Sequence, residues 1–192
     1  MRKKTTEELV KEKPSIDEFV KLPKAPITLI VDGIRSLDNV GLLFRLSEGY
    51  RLKKLILCGI TGFPSGMPND VRPPHMIEKH ERKISKTAIK TIPLIPWEYR
   101  EKVEEAVKER KQAGDKIIVL EQTDESKDYR KVKYNFPLTL IVGHERTGVS
   151  DEILNMADEV IEIPMRGMGN SHNVAISAAI VISHLDQFLN LT

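Results

Sequence analysis

The chain is short of several things, and each shortage excludes a class of protein. It carries one cysteine, Cys58, in 192 residues, so no disulfide can form within it and a reducing compartment suits it. Cys58 ends the apolar run 55–58 and reads as a small buried hydrophobe. No apolar run approaches the ~20 residues that a membrane-spanning helix needs. The opening, MRKKTTEELVKEK, is charged where a secretory signal would be apolar, so the expected location is cytoplasmic, with no membrane partner. Excess charge is also missing: the net is +2, which gives no whole-protein field to attract nucleic acid. Local clusters stand out instead. Arg2-Lys3-Lys4, Arg51 with Lys53 and Lys54, and the group Arg72, Lys79, Arg82, Lys83, Lys86, Lys90 are of the kind that meets phosphates. Glu78 and Glu81 interrupt the third cluster, and a solvated surface is the other reading of it.

What is present is a globular balance, 30% charged and 40% apolar residues, at a length that supports one well-packed domain. Residues 1–26 read as a helical extension, with Ser15-Ile16-Asp17-Glu18 at capping-box spacing and Pro23 and Pro26 ending it. Residues 27–192 form the domain. Continuous apolar runs at 27–31, 54–58, 116–120, 138–142 and 160–163 have the character of buried parallel strands. Helical spacing marks 39–48, with Gly49 able to close it, a second helix from about Pro96 to Gln112, and a third from Asn173 to about Leu189. The stretch 59–80, dense in glycine and proline, reads as a long surface loop. The expected fold is α/β, a mostly parallel sheet flanked by helices. The last helix is apolar around most of its circumference, which predicts burial on more than one side.

The chemistry concentrates where two late strands run into glycine-rich loops, Gly143-His144-Glu145-Arg146-Thr147-Gly148 and 164–172. Strand ends of α/β sheets hold loop backbone in place while leaving its polar groups free to bind. Ser171 and Asn173 can cap the helix that follows. Familiar motifs fail one by one. His144-Glu145 opens like H-E-x-x-H, but position 148 is Gly, and no metal site is expected. Gly167-Met168-Gly169 starts G-x-G-x-x-G, but position 172 is His and no strand-borne acid follows to take a ribose. A P-loop and a G-x-S-x-G elbow are both absent. What remains is a backbone-rich pocket at Gly143, Ile163 and Ser171-His172, with 120–122 at a neighbouring strand end and Asn39, Arg45, Glu145 and Asn173 as polar groups at its mouth. Such a pocket suits a flat heteroaromatic ligand.

Three segments, Asp38-Asn39-Val40-Gly41-Leu42-Leu43-Phe44-Arg45, Val142-Gly143-His144-Glu145-Arg146-Thr147-Gly148-Val149 and Ile163-Pro164-Met165-Arg166-Gly167-Met168-Gly169-Asn170-Ser171-His172-Asn173-Val174-Ala175, resemble in order and spacing the three motifs of the SpoU/TrmH family of SPOUT RNA 2′-O-methyltransferases. Lys83-Ile84-Ser85-Lys86-Thr87-Ala88 and Pro96-Trp97-Glu98 are similar to stretches common in its relatives, and the likeness runs from residue 27 to about 185. The resemblance implies a SPOUT fold with a deep C-terminal trefoil knot, a homodimer, tRNA or rRNA as substrate and S-adenosyl-L-methionine as cofactor. By matching positions it implies a cofactor site at Gly143, Ile163, Met165, Ser171 and His172, with Leu120, Glu121 and Gln122 beside it. It implies a reaction centre of Asn39, Arg45, Glu145, Ser171 and Asn173. The chain departs from the pattern at His172, where the family has Leu. The alternatives are a non-catalytic knotted RNA-binding dimer and a base methyltransferase of another SPOUT branch.

Overall fold

A computed structural model describes residues 1–191 of the chain. Two short helices, α1 (Thr6–Lys11) and α2 (Ile16–Lys21), precede the domain and bury no residue. Each begins in a capping box, Thr5 with Glu8 and, as the spacing indicated, Ser15 with Glu18, so the helical extension consists of two short helices. The domain then runs β1 (Ala25–Asp32), α3 (Leu37–Gly49), β2 (Leu52–Cys58), α4 (Pro74–Ala88), β3 (Trp97–Arg100), α5 (Val103–Gln112), β4 (Lys116–Leu120), β5 (Lys127–Asp128), β6 (Leu138–Val142), α6 (Asp151–Leu154), β7 (Glu159–Glu162) and α7 (Val174–Asp186).

The strands form one sheet in the order β3-β2-β1-β6-β4-β7-β5, and every pair in it is parallel. The five central runs read from the sequence are all strands. Strand β6, LTLIV, is buried at every position and lies between β1 and β4, in register Ile27 to Leu138 on one side and Lys116 to Leu138 on the other. It is covered on both faces, which is why the run is continuously apolar. Helices α3, α4 and α7 share one core with Leu29, Val31, Leu55 and Leu140. The opposite face, with Ile30, Ile56, Val119 and Ile141, is covered by α5 and α6. From β1 the chain winds toward β2 and β3, then returns to build β4, and β6 later fills the gap. The strand ends at that reversal form the crevice where ligands of such sheets bind.

Two expectations are corrected. Trp97–Arg100 is an edge strand paired to β2, not the first turn of a helix starting at Pro96, and α5 begins at Val103. Tertiary contact overrode the helical reading: Trp97 meets the edge of Phe44 at 5.9 Å and Tyr99 stacks on Phe63 at 4.3 Å. The loop expected over 59–80 ends at Pro73, because Pro74 occupies the first turn of α4, the position where proline's missing N–H goes unneeded. Smaller shifts fall at helix ends. Ser36 caps α3 two residues earlier than the apolar spacing indicated, and Arg51, with φ of 48°, makes the left-handed turn assigned to Gly49. Helix α7 buries Ala175, Ala178, Val181, Ile182 and Leu185, but leaves Ile176 52% exposed.

Candidate active site

A cavity of about 630 Å³ opens at the carboxyl ends of β4, β6 and β7, within the size range of small-molecule sites. Its apolar wall is Leu120, Val142, Ile163, Met165 and Val174. Glu121, Gln122, Gly143, Asn170, Ser171 and His172 line its polar side. On the α3 side stand Asn39, Glu145 and Asn173.

These last three are 134 residues apart at most, and they form one hydrogen-bonded relay. Asn39 Nδ2 donates to Glu145 Oε1 at 3.0 Å. Asn173 Nδ2 donates to Asn39 Oδ1 at 3.1 Å. Asn173 Oδ1 in turn accepts from the backbone N–H groups of Ala175 and Ile176, at 3.0 and 3.4 Å, and so caps α7. An asparagine at each of positions 39 and 173 is required, because each amide must donate at one end and accept at the other. Asn39 is 9% exposed, held in the first turn of α3 where its own N–H donates to Ser36 Oγ at 3.3 Å. Glu145 is exposed and lines the cavity, and its Oε2 has no donor among the described residues. The relay leads from the amino end of α7, where the helix dipole is positive, to a carboxylate.

The turn that carries Glu145 is closed at both ends. His144 N–H donates to Gly148 O at 3.2 Å and Gly148 N–H to His144 O at 3.0 Å. Inside it, His144 Nδ1 accepts from the N–H groups of Arg146 and Thr147 at 3.1 and 3.2 Å. A carboxylate from the neighbouring strand end ties the turn down: Glu121 accepts from Val149 N–H at 2.9 Å and from Gln122 N–H at 2.8 Å. Glycine is required twice. A Cβ on Gly143 would lie 2.7 Å from backbone atoms of Gly148 and Val149, and Gly148, at φ of +67°, would put one 2.2 Å from Glu121 Oε2. Across the cavity, Gln122 Nε2 donates to Asn170 O at 2.7 Å and ties the 164–172 loop to β4.

Two titratable groups lie behind the turn. Burial pushes the Asp32 carboxyl up, Glu104 adds to the shift and His144 opposes it. Burial, with help from Asp32, pushes the Cys58 thiol up, which keeps it protonated and unreactive at neutral pH.

Every residue expected at the cofactor site, Leu120, Glu121, Gln122, Gly143, Ile163, Met165, Ser171 and His172, lines this cavity, as do Asn39, Glu145 and Asn173. Arg45 does not. It lies six residues beyond Asn39 on α3, turned from it by roughly 120° at 3.6 residues per turn, with its side chain exposed. Ser171 lines the cavity but caps nothing; Asn173 does that alone. Arg146 and Ser177 also line it and were not singled out from the sequence, and so do Asn170 and His144, the latter weighed there only as a metal ligand. The signal for His144 was its place inside the turn. For Ser177, one turn into an apolar helix, there was none.

No group of three or more His, Cys, Asp and Glu side chains is placed to hold a metal ion among the described residues, and no helix there is long and apolar enough to cross a membrane.

Comparison with known proteins follows the same lines. Residues 26–183 match the SpoU rRNA Methylase family. A tRNA (guanosine(18)-2′-O)-methyltransferase of Aquifex aeolicus is 40% identical over 89 residues, 45% of this chain and 42% of that protein. Its Escherichia coli K12 counterpart is 36% identical over 78 residues, 41% of this chain and 34% of that one. These matches therefore span less than half the length of either curated relative. Among solved structures, the Aquifex aeolicus TrmH/SpoU tRNA modifying enzyme superposes with a TM-score of 0.68 at 22% identity, over 90% of this chain and 79% of that one. An AdoMet-bound rRNA methyltransferase from Sinorhizobium meliloti gives a TM-score of 0.72 at 20% identity, over 90% and 60%. At these identities the structures speak for the fold. The family match, which covers most of the residues and includes all three loop segments of the cavity, assigns the chain: it belongs to the SpoU rRNA Methylase family.

Proposed function

We propose that the protein transfers a methyl group from S-adenosyl-L-methionine to a ribose 2′-hydroxyl of tRNA or rRNA, acting as a cytoplasmic homodimer. The observation that carries this is the Glu145–Asn39–Asn173 relay at the rim of a backbone-lined cavity. The donor set fits the cofactor. Main-chain groups at 121–122, 143 and 170–172 can meet an adenine and a ribose, the aliphatic wall can sandwich a flat ring, and the Glu121 carboxylate, already satisfied by two backbone N–H groups, does not intrude as a free charge. When bound, this cofactor supplies a methyl group on a sulfonium. Transfer is an in-line displacement, so the chain's task is to place the attacking oxygen and stabilise its developing negative charge.

Glu145 Oε2 is positioned to accept a hydrogen bond from the ribose hydroxyl, while Asn39 fixes Oε1 and Asn173 fixes Asn39. Arg45 serves by holding phosphate and hydroxyl, since a guanidinium barely deprotonates, with pKa above about 12. Arg45 is exposed on α3, with the 40%-exposed Leu42 on that helix and the 52%-exposed Ile176 on the α7 it packs against. A second copy of the chain laid on this apolar face would cover both and bring an Arg45 toward the cavities. The return of the chain from β7, at the far side of β4, to pack α7 on α3 supports the threaded, knotted path that the resemblance implies.

Incubation with methyl-labelled S-adenosylmethionine and total tRNA or ribosomal RNA, followed by nuclease digestion and mass spectrometry, tests the reading. A 2′-O-methylated nucleoside is expected. A methyl on a base would place the protein in another branch of the fold, and none at all would leave a non-catalytic RNA binder.

A further inference from the structure

A second cavity, of about 290 Å³, lies on the other side of the first turn of α3. Arg35 and Ser36 line it from the loop after β1, Leu37 and Asp38 from the start of α3, Ile60 and Gly62 from the loop after β2, and Lys79, His80 and Lys83 from α4. Nothing in the relay uses it. Three cationic side chains from two separate elements converge there against one carboxylate, Asp38. None of the ion pairs among the described residues involves Arg35, Lys79 or Lys83. Ten other basic side chains of the chain do meet a carboxylate, as where Arg72 grips Asp70 at 2.6 Å and Lys127 meets Glu159 at 2.9 Å. Lys79, Lys83 and Lys86 fall on one stripe of α4 at helical spacing, so the positive charge continues out of the cavity along the helix. His80 senses this field: burial first, then Arg72 and Lys79, lower its pKa.

From this we propose that the second cavity binds a backbone phosphate of the RNA substrate, an inference that rests on the function proposed above. The first turn of α3 separates the two cavities, with Ser36 to Asp38 facing one and Asn39 the other. One helical turn is about 5.4 Å long, a spacing over which consecutive parts of one nucleotide strand can reach from a phosphate seat to a ribose seat. Phosphate contacts of this type position the strand without reading its bases. Arg35, Lys79 and Lys83 therefore set where the ribose lands beside Glu145. Glu78, also on α4, is exposed, and Glu81 is tied to Ser65 and Ser85, at 2.9 and 2.7 Å; neither lines the cavity.

The test is the salt dependence of binding to unfractionated tRNA and ribosomal RNA, in wild type, in Lys79→Gln/Lys83→Gln, in the triple variant with Arg35→Gln, and in Lys108→Gln on the opposite face of the sheet. Each lost phosphate contact reduces the slope of log K against log salt by about 0.7–0.9. The triple variant is expected to lose roughly one unit of slope and bind about tenfold more weakly or worse, with KM for RNA raised and kcat at saturating RNA retained. Lys108→Gln should match wild type, and S-adenosylmethionine affinity by calorimetry should be the same in all four. If wild type binds RNA and the triple variant keeps its slope, the phosphate seat is refuted while the proposed function stands. If wild type binds neither RNA nor S-adenosylmethionine, both fall.

Discussion

Asn39 is the joint of the relay, and replacing it with aspartate separates geometry from mere polarity. Asn39→Asp keeps shape and volume, and still lets Asn173 Nδ2 donate to position 39. It removes the donor to Glu145, however, and sets two carboxylates against each other where Nδ2 and Oε1 now meet at 3.0 Å. A hydrogen bond to a charged group contributes about 1.5–3 kcal/mol. Two like charges near 4 Å repel by about 1 kcal/mol in water and about 4 kcal/mol near a protein surface. Glu145 is exposed, so both terms belong at their lower ends, and the variant should lose roughly 2–3 kcal/mol. Asn39→Ala adds no repulsion but gives up both hydrogen bonds of the relay, so it should lose roughly 2–3 kcal/mol, with no pH dependence from repulsion. Urea denaturation reads both. The sign with pH follows from linkage: facing carboxylates have folded pKa values above their unfolded ones. The penalty is therefore absent below about pH 4 and appears as pH rises through the folded values. Adding Glu145→Gln to Asn39→Asp exchanges donor for acceptor and should restore most of the stability, a coupling that a double-mutant cycle isolates. An aspartate variant whose loss is the same at pH 4 and pH 7, or a double variant no better than Asn39→Asp alone, would refute the relay.

Three more outcomes are expected. Arg45→Ala should lower methyl transfer at least about a hundredfold, the usual effect of removing one group that stabilises developing charge, while calorimetry shows cofactor affinity unchanged; unchanged turnover would remove Arg45 from the reaction. Gly143→Ala forces a Cβ to 2.7 Å from backbone that cannot yield; a loss near the upper end of about 1–3 kcal/mol should appear in urea melts, together with lost cofactor binding. Asp32→Asn removes a carboxyl whose folded pKa burial has raised. The native charge costs stability as pH rises through that value, so the variant should be the more stable above it and equal at low pH, as urea midpoints from pH 4 to 8 would show.

The central strands and the strand-end location of the cavity were legible because each rests on a local pattern. Continuous apolar runs mark doubly covered strands, and a glycine marks where backbones approach. Trp97–Arg100 was not legible as a strand, since only Phe44 and Phe63, far away in the chain, make it one. Pro73-Pro74 looked like the middle of a loop because proline both breaks and begins helices, and which it does depends on what α4 packs against. Ser171 and Asn173 were equal as caps on paper; the side-chain amide that also had to reach Asn39 took the role.

Residue order alone was enough to say that this chain is a parallel α/β domain with its chemistry in the loops after two late strands, because backbone propensity and burial periodicity act over a few residues. Packing alone decided which side chains share a cavity. It joined Asn39, Glu145 and Asn173 through directional hydrogen bonds, turned Arg45 away to another face of the same helix, and left Arg35, Lys79 and Lys83 around one pocket without partners. Such contacts depend on distances between segments a hundred residues apart, which no local pattern encodes.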